Sequence, residues 1–147
     1  MFSVYFPAVT DAAVGVFHDV RENMRGSETI LLVEDSAPLR AAWRKFLRGL
    51  GYSVLEAADA ERAQWIAANR QDIAVMIADI RLPGISGLTL AECLRKVRPG
   101  LKVLQMTAPA SGFVNHGFPE ENTVFLRKPF TPDALARKLR GLLDRLQ

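Results

Sequence analysis

The chain has 147 residues, enough for one domain with a packed core and a short appendage, and its 49% hydrophobic content excludes a disordered chain. Nineteen Lys and Arg against 16 Asp and Glu leave a net charge of only +3, scattered along the chain, which argues against a nucleic-acid-binding surface. One cysteine, Cys93, excludes an internal disulfide. No apolar run reaches the ~20 residues of a membrane span, and Met1 to Ala13 lacks the basic start of a secretory signal, so the sequence points to a cytoplasmic protein with no direct membrane contact.

Phe2 to Phe6 alternates like a strand and stops at Pro7. Thr10 to Met24 carries an amphipathic stripe of Ala13, Val16, Phe17, Val20 and Met24, too short to be a stable helix without a partner surface, and Gly26-Ser27 reads as a linker. From Thr29 onward short apolar runs alternate with segments of helical period, the pattern of an α/β fold with helices covering a parallel sheet. Thr29 to Val33 is continuously apolar, as a strand buried on both faces would be, and ends at Glu34-Asp35. Ser36 caps a helix to about Leu50, with Leu39, Trp43, Phe46, Leu47 and Leu50 on one stripe and Gly51 just past its end. Tyr52 to Glu56 is a second strand, and Asp59 caps a helix to about Asn69. Ile73 to Ala78 is a third, ending at Asp79; the turn-rich Leu82 to Gly87 feeds a helix from Leu88 to Val97. Leu101 to Met106 is a fourth strand ending at Thr107, and Val124 to Arg127 a fifth ending at Lys128. Thr131-Pro132 opens a last helix whose apolar face is Leu135, Leu139, Leu142, Leu143 and Leu146. Between strands four and five, Pro109 to Asn122 holds two prolines and two glycines without a helical stripe, so a loop or a single turn is expected.

Open parallel sheets bind ligands beyond the carboxyl ends of their strands, so Glu34, Asp35, Asp79, Thr107 and Lys128 should meet in one crevice. Each alone has an ordinary explanation, as a helix-start acid, a turn residue, a strand-end cap or a solvated lysine. Their coincidence at successive strand ends does not. Three carboxylates in one crevice repel each other unless a cation sits among them, and an all-oxygen set of this kind suits Mg2+. A carboxylate nucleophile, a divalent ion, a lysine and a hydroxyl are sufficient for phosphoryl transfer, which needs positioning and charge neutralisation above all. In this scheme Asp79 is the nucleophile, Thr107 donates to the bound phosphoryl group, Lys128 pairs with Asp79 or a phosphoryl oxygen, and the Arg81 carbonyl completes the metal ligands.

The motifs Ile30-Leu-Leu-Val-Glu-Asp35, Ala78-Asp-Ile-Arg-Leu-Pro-Gly84 with Gly87, Met106-Thr-Ala108 and Lys128-Pro-Phe130 resemble the response-regulator receiver family, over about Thr29 to Leu146. The resemblance implies a doubly wound five-stranded sheet of order 2-1-3-4-5, with the helix between strands four and five short or absent here. It also implies Asp79 as phosphoacceptor, Asp35 as direct and Glu34 as water-mediated ligand of Mg2+, Thr107 and Phe125 as switch residues, and a cis Lys128-Pro129 bond. Its partners would be a phosphohistidine domain of a histidine kinase or a histidine phosphotransfer protein, and the family admits a weak homodimer. Such a domain promotes its own phosphorylation and dephosphorylation.

The glycine-rich stretch after Pro109 is similar to receivers of hybrid histidine kinases, and Met1 to Ala8 looks like the final strand of a kinase ATP-binding domain. On that reading residues 1–28 are an extension or linker, 29–147 the receiver, and kinase activity belongs to a part upstream. A free-standing single-domain regulator is the alternative. A phosphatase or nucleotidyl enzyme would want an acid at position 81, which is arginine. His18 lacks the surroundings of a phosphodonor histidine, and His116 lies in the irregular stretch.

Overall fold

Residues 23–108 and 122–145 are described by this computed structural model. They form β1 (Thr29–Val33), α1 (Ala37–Gly49), β2 (Ser53–Ala57), α2 (Ala60–Asn69), β3 (Ile73–Asp79), α3 (Gly87–Val97), β4 (Lys102–Thr107), β5 (Thr123–Arg127) and α4 (Pro132–Leu143). The strands are all parallel, in the order β2-β1-β3-β4-β5, so the α/β class and the 2-1-3-4-5 order expected from the sequence hold. The expected loop at Pro109 to Asn122, the Thr10 to Met24 helix and both histidines lie wholly or almost wholly outside the described residues. Among those residues no helix is long and apolar enough to cross a membrane.

Each helix starts at a side chain that accepts a backbone N–H three residues on: Ser36 from Leu39, Asp59 from Arg62, Ser86 from Thr89 and Thr131 from Ala134. That satisfies one of the donors a helix start leaves open, and Pro38 and Pro132 occupy first-turn positions where no donor is needed. At the far end of α4 the Lys102 ammonium donates to the carbonyls of Leu143 and Arg145, each at 2.9 Å, closing acceptors that the helix cannot satisfy.

Strand alternation divides the core in two. Ile30 and Leu32 of β1, Val75 and Ile77 of β3, and Leu104 and Met106 of β4 face α1 and α4, where Leu47, Leu135, Leu139 and Leu142 cover them. Leu31, Val33, Met76, Ala78 and Val103 face α2 and α3, covered by Ala63, Ile66, Leu90 and Leu94. The central strands are therefore apolar on both faces, which is why their sequences run without alternation.

Three expectations need correction. Leu39, placed on the apolar stripe of α1, is 47% exposed in the first turn of that helix, where the buried face begins only further along, at Leu47. Tyr52 precedes β2 rather than opening it; its ring is buried and its hydroxyl donates to the Met24 carbonyl at 3.2 Å. The last helix ends at Leu143, three residues short, and Leu146 is outside the described residues.

Met24, read as part of an upstream stripe, is buried in the α1/α4 layer. The segment after it is tied down: the Gly26 amide donates to Leu50 at 3.1 Å, and Gly51, at φ 104, leaves room for the Gly26 carbonyl where a side chain would stand. Arg140 of α4 donates to the Arg25 carbonyl, to both Glu28 oxygens and to the Tyr52 hydroxyl. That guanidinium holds the Glu28 carboxyl below its ordinary value of 4.5, chiefly through the hydrogen bond. A carboxyl whose pKa is depressed by folding stabilises the fold above its unfolded value and loses that contribution as pH falls through the folded one. Arg140→Met should therefore lower the urea midpoint at neutral pH, with the gap to wild type narrowing below pH 4.5. A gap that stays constant on acidification would show that the pair contributes nothing.

Candidate functional site

The strand ends are set by register. Val33 lies beside Ala78, and one step on each chain brings Glu34 and Asp79 to the rim. Asp79 pairs with Met106, and Thr107 with Arg127, so Thr107 and Lys128 reach the same rim from β4 and β5. The Lys128 amide donates to the Thr107 carbonyl at 2.7 Å, fastening one to the other, and the Lys128-Pro129 bond is cis, as expected.

Asp79 is only 8% exposed. Its Oδ1 accepts the Arg81 amide at 2.9 Å and its Oδ2 accepts the Lys128 ammonium in a short ion pair. Thr107 is equally buried. Each carboxylate oxygen has two lone pairs, so both remain able to act on a third group.

Glu34 is 3% exposed, and its carboxyl is raised above the ordinary value, mainly by burial. Its Oε2 accepts the Ser36 amide at 3.0 Å and its backbone carbonyl accepts Arg40 at 2.7 Å. Arg40 in turn approaches Glu56, which Arg44 holds with two hydrogen bonds. Asp35 is exposed. Glu34, Asp35 and Asp79 thus border one crevice, yet no three acidic, histidine or cysteine side chains among the described residues close on one point. Glu34 and Asp35 meet through a side-chain hydrogen bond that adds to the upward push on Glu34, while Lys128 neutralises Asp79. The donor set nevertheless fits a hard cation: oxygen atoms only, among them a buried carboxyl whose charge burial disfavours, with the Arg81 backbone two residues beyond Asp79.

Phe125 is half-buried on β5, beside Gln105 of β4 in the register. Sequence reading passed over Gln105 and Arg40. The first could have been noticed as an amide in the middle of an otherwise apolar strand; the second sits on an amphipathic helix where any arginine looks like solvent-facing charge.

The family model for the response regulator receiver domain matches residues 30–140. The chain belongs to this family. Among proteins that this receiver domain is similar to, sensor kinase CckA of Brucella abortus (strain 2308) is 30% identical over 125 residues, 84% of this chain and 13% of that protein. Response regulator MprA of Mycobacterium sp. (strain KMS) is 33% identical over 117 residues, 79% of this chain and 50% of that one. The solved receiver domain of the hybrid histidine kinase CckA has a TM-score of 0.66 at 33% identity, covering 79% of this chain and 99% of that one. Response regulator protein TrrA of Thermotoga maritima, solved in complex with Mg2+ and BeF, has a TM-score of 0.68 at 28% identity, covering 78% and 98%. The receiver domain therefore spans at most about half the length of these curated relatives.

Proposed function

We propose that this receiver domain is a phosphoacceptor in which Asp79 takes a phosphoryl group from a phosphohistidine. The observation that carries the proposal is the seat of Asp79: a nearly buried carboxylate at a strand end, with one oxygen on the Arg81 amide and the other on Lys128. As the bond between the Asp79 oxygen and phosphorus forms, the phosphorus–nitrogen bond breaks and the departing imidazole takes a proton. Lys128 steadies the carboxylate before transfer and a phosphoryl oxygen after it. Thr107, fixed to the Lys128 backbone, donates its hydroxyl to the phosphoryl group, and Phe125 reads out the change.

Glu34, Asp35, Asp79 and the Arg81 carbonyl would hold Mg2+, which when bound supplies positive charge against the phosphoryl oxygens. The donor partner is a histidine kinase or histidine phosphotransfer protein, acting in the cytoplasm.

The finer reading is that the domain, residues 29–147, serves a hybrid sensor kinase, with 1–28 as the connection to it. Similarity to CckA, both whole kinase and solved receiver, supports this; similarity to MprA supports a separate response regulator. A reading frame that continues upstream of Met1 into a kinase core favours the first, and a stop codon just before Met1 overturns it.

Phosphoacceptance is tested by incubation with acetyl phosphate and Mg2+. Intact-mass spectrometry should show one added phosphoryl group in the wild type and none in Asp79→Asn or with EDTA. A wild type that gains nothing, or an Asp79→Asn variant that gains as much, removes Asp79 from the proposal.

A further inference from the structure

One register step below the crevice, Val33, Ala78, Gln105 and Phe125 lie side by side across four strands. Three are apolar. Gln105 is fully buried among them, its Nε2 donating to the Gly87 carbonyl at 2.8 Å. Its Oε1 is also buried and has no hydrogen-bond partner among the described residues. An unpaired buried amide oxygen costs about 1–3 kcal/mol, so stability alone would favour a leucine or methionine here. A cavity of about 20 Å3 adjoins it, bordered by Leu88, Glu92, Arg95 and Phe125, room for one water at most.

What the amide holds is the closing point of the loop that begins at Asp79. The Ile80 amide donates to Met106 on β4 and the Gly87 amide donates back to Ile80, so residues 80–87 leave the sheet and return to where they left. Gly87 is pressed against the Asp79 carbonyl, and Gln105 Oε1 lies 2.6 Å from where a Cβ would stand. Within this loop sits Arg81, whose amide orients Asp79 and whose carbonyl is the backbone ligand assigned above. Backbone bonds close the loop from Ile80 to β4 and from Gly87 to Ile80, the Arg81 amide ties it to the Asp79 carboxylate, and Gln105 holds Gly87 from the strand that ends in Thr107.

We infer that Gln105 is a positioning residue of the phosphoacceptor centre, its amide fixing Gly87 so that the Arg81 backbone is presented to the metal and to Asp79. The inference rests on the proposed function and makes a claim separable from it. Groups that orient metal ligands from outside the coordination sphere change metal affinity by about 10–100-fold when removed. Gln105→Met keeps the length and volume of the side chain and loses the donor.

The test is an Mg2+ titration of the wild type and Gln105→Met followed by the backbone amide resonances of Arg81 and Gly87. The variant should bind Mg2+ about tenfold more weakly, with its melting temperature held or raised, and should recover wild-type phosphorylation at saturating Mg2+. In the wild type, without any mutation, the Gln105 side-chain amide protons should shift in step with the Arg81 amide as Mg2+ is added. Wild-type affinity in Gln105→Met overturns the inference, as do Gln105 resonances that stay still while Arg81 moves; the second arm decides the matter should the variant not fold. A wild type that binds no Mg2+ and accepts no phosphoryl group defeats the phosphoacceptor reading instead.

Discussion

Lys128→Ala, but not Asp79→Asn, is expected to destabilise the fold, although both break the same ion pair. Removing the lysine leaves Asp79, 8% exposed, as an uncompensated charge beside Glu34, 3% exposed. A lone buried charge left by a broken pair costs about 3–5 kcal/mol when both partners are fully buried. The Lys128 side chain is 32% exposed, so a loss of about 2 kcal/mol is the expected size. Asn at position 79 removes a charge from a crowded acidic rim, keeps an acceptor for Lys128, and leaves that lysine available to Glu34, whose carboxyl it already favours in ionised form. Its stability should equal or exceed that of the wild type. Urea unfolding in EDTA measures both, and a Lys128→Ala variant as stable as wild type would mean that the pair is worth nothing to the fold. Function separates them less: Asp79→Asn should accept no phosphoryl group, and Lys128→Ala should accept it about 100-fold or more slowly, the scale of one preorganised charge at a reacting centre.

Gly87→Ala should damage fold and chemistry together. A methyl group at this position would collide with the carbonyl of Asp79 and with Gln105 Oε1. The glutamine tip can swing aside, but the carbonyl belongs to the last residue of a central strand and cannot. Overpacking of this kind costs about 1–3 kcal/mol. The upper end is expected, because relief requires Gly87 to retreat and so breaks its bonds to Ile80 and Gln105. The Arg81 amide then no longer sits on Asp79, and acetyl phosphate labelling should fall at least tenfold even where the variant is folded by circular dichroism. Full labelling of a folded Gly87→Ala protein would show that the loop does not position the acceptor.

What could be read without coordinates followed from burial on both faces of a strand. Thr29 to Val33 and Ile73 to Ala78 have no polar residue to turn outward past their first position, so their place at the centre of a parallel sheet, and of Glu34 and Asp79 at its rim, was legible from composition alone. The caps at Ser36, Asp59 and Thr131 were legible because their geometry is local. Leu39 was misread because helical periodicity gives the direction of a side chain and not whether another element covers it. Tyr52 has strand propensity, yet its position is decided by a hydroxyl that meets Met24, 28 residues away in sequence. Gln105 and Arg40 escaped notice for a similar reason: their partners, the carbonyls of Gly87 and Glu34, are backbone atoms that no sequence pattern announces.

The Arg140 cluster has a mechanical consequence. Arg25 and Glu28 at the entrance of the domain and Asp144 at its exit are gripped by one guanidinium, at the end of the sheet where every strand begins. Asp79 and Lys128 lie at the opposite end, a full strand length away. Among the described residues, the segments leading into β1 and out of α4 are thus locked to each other at one pole of the receiver, and the rim that carries Asp79 and Lys128 forms the other.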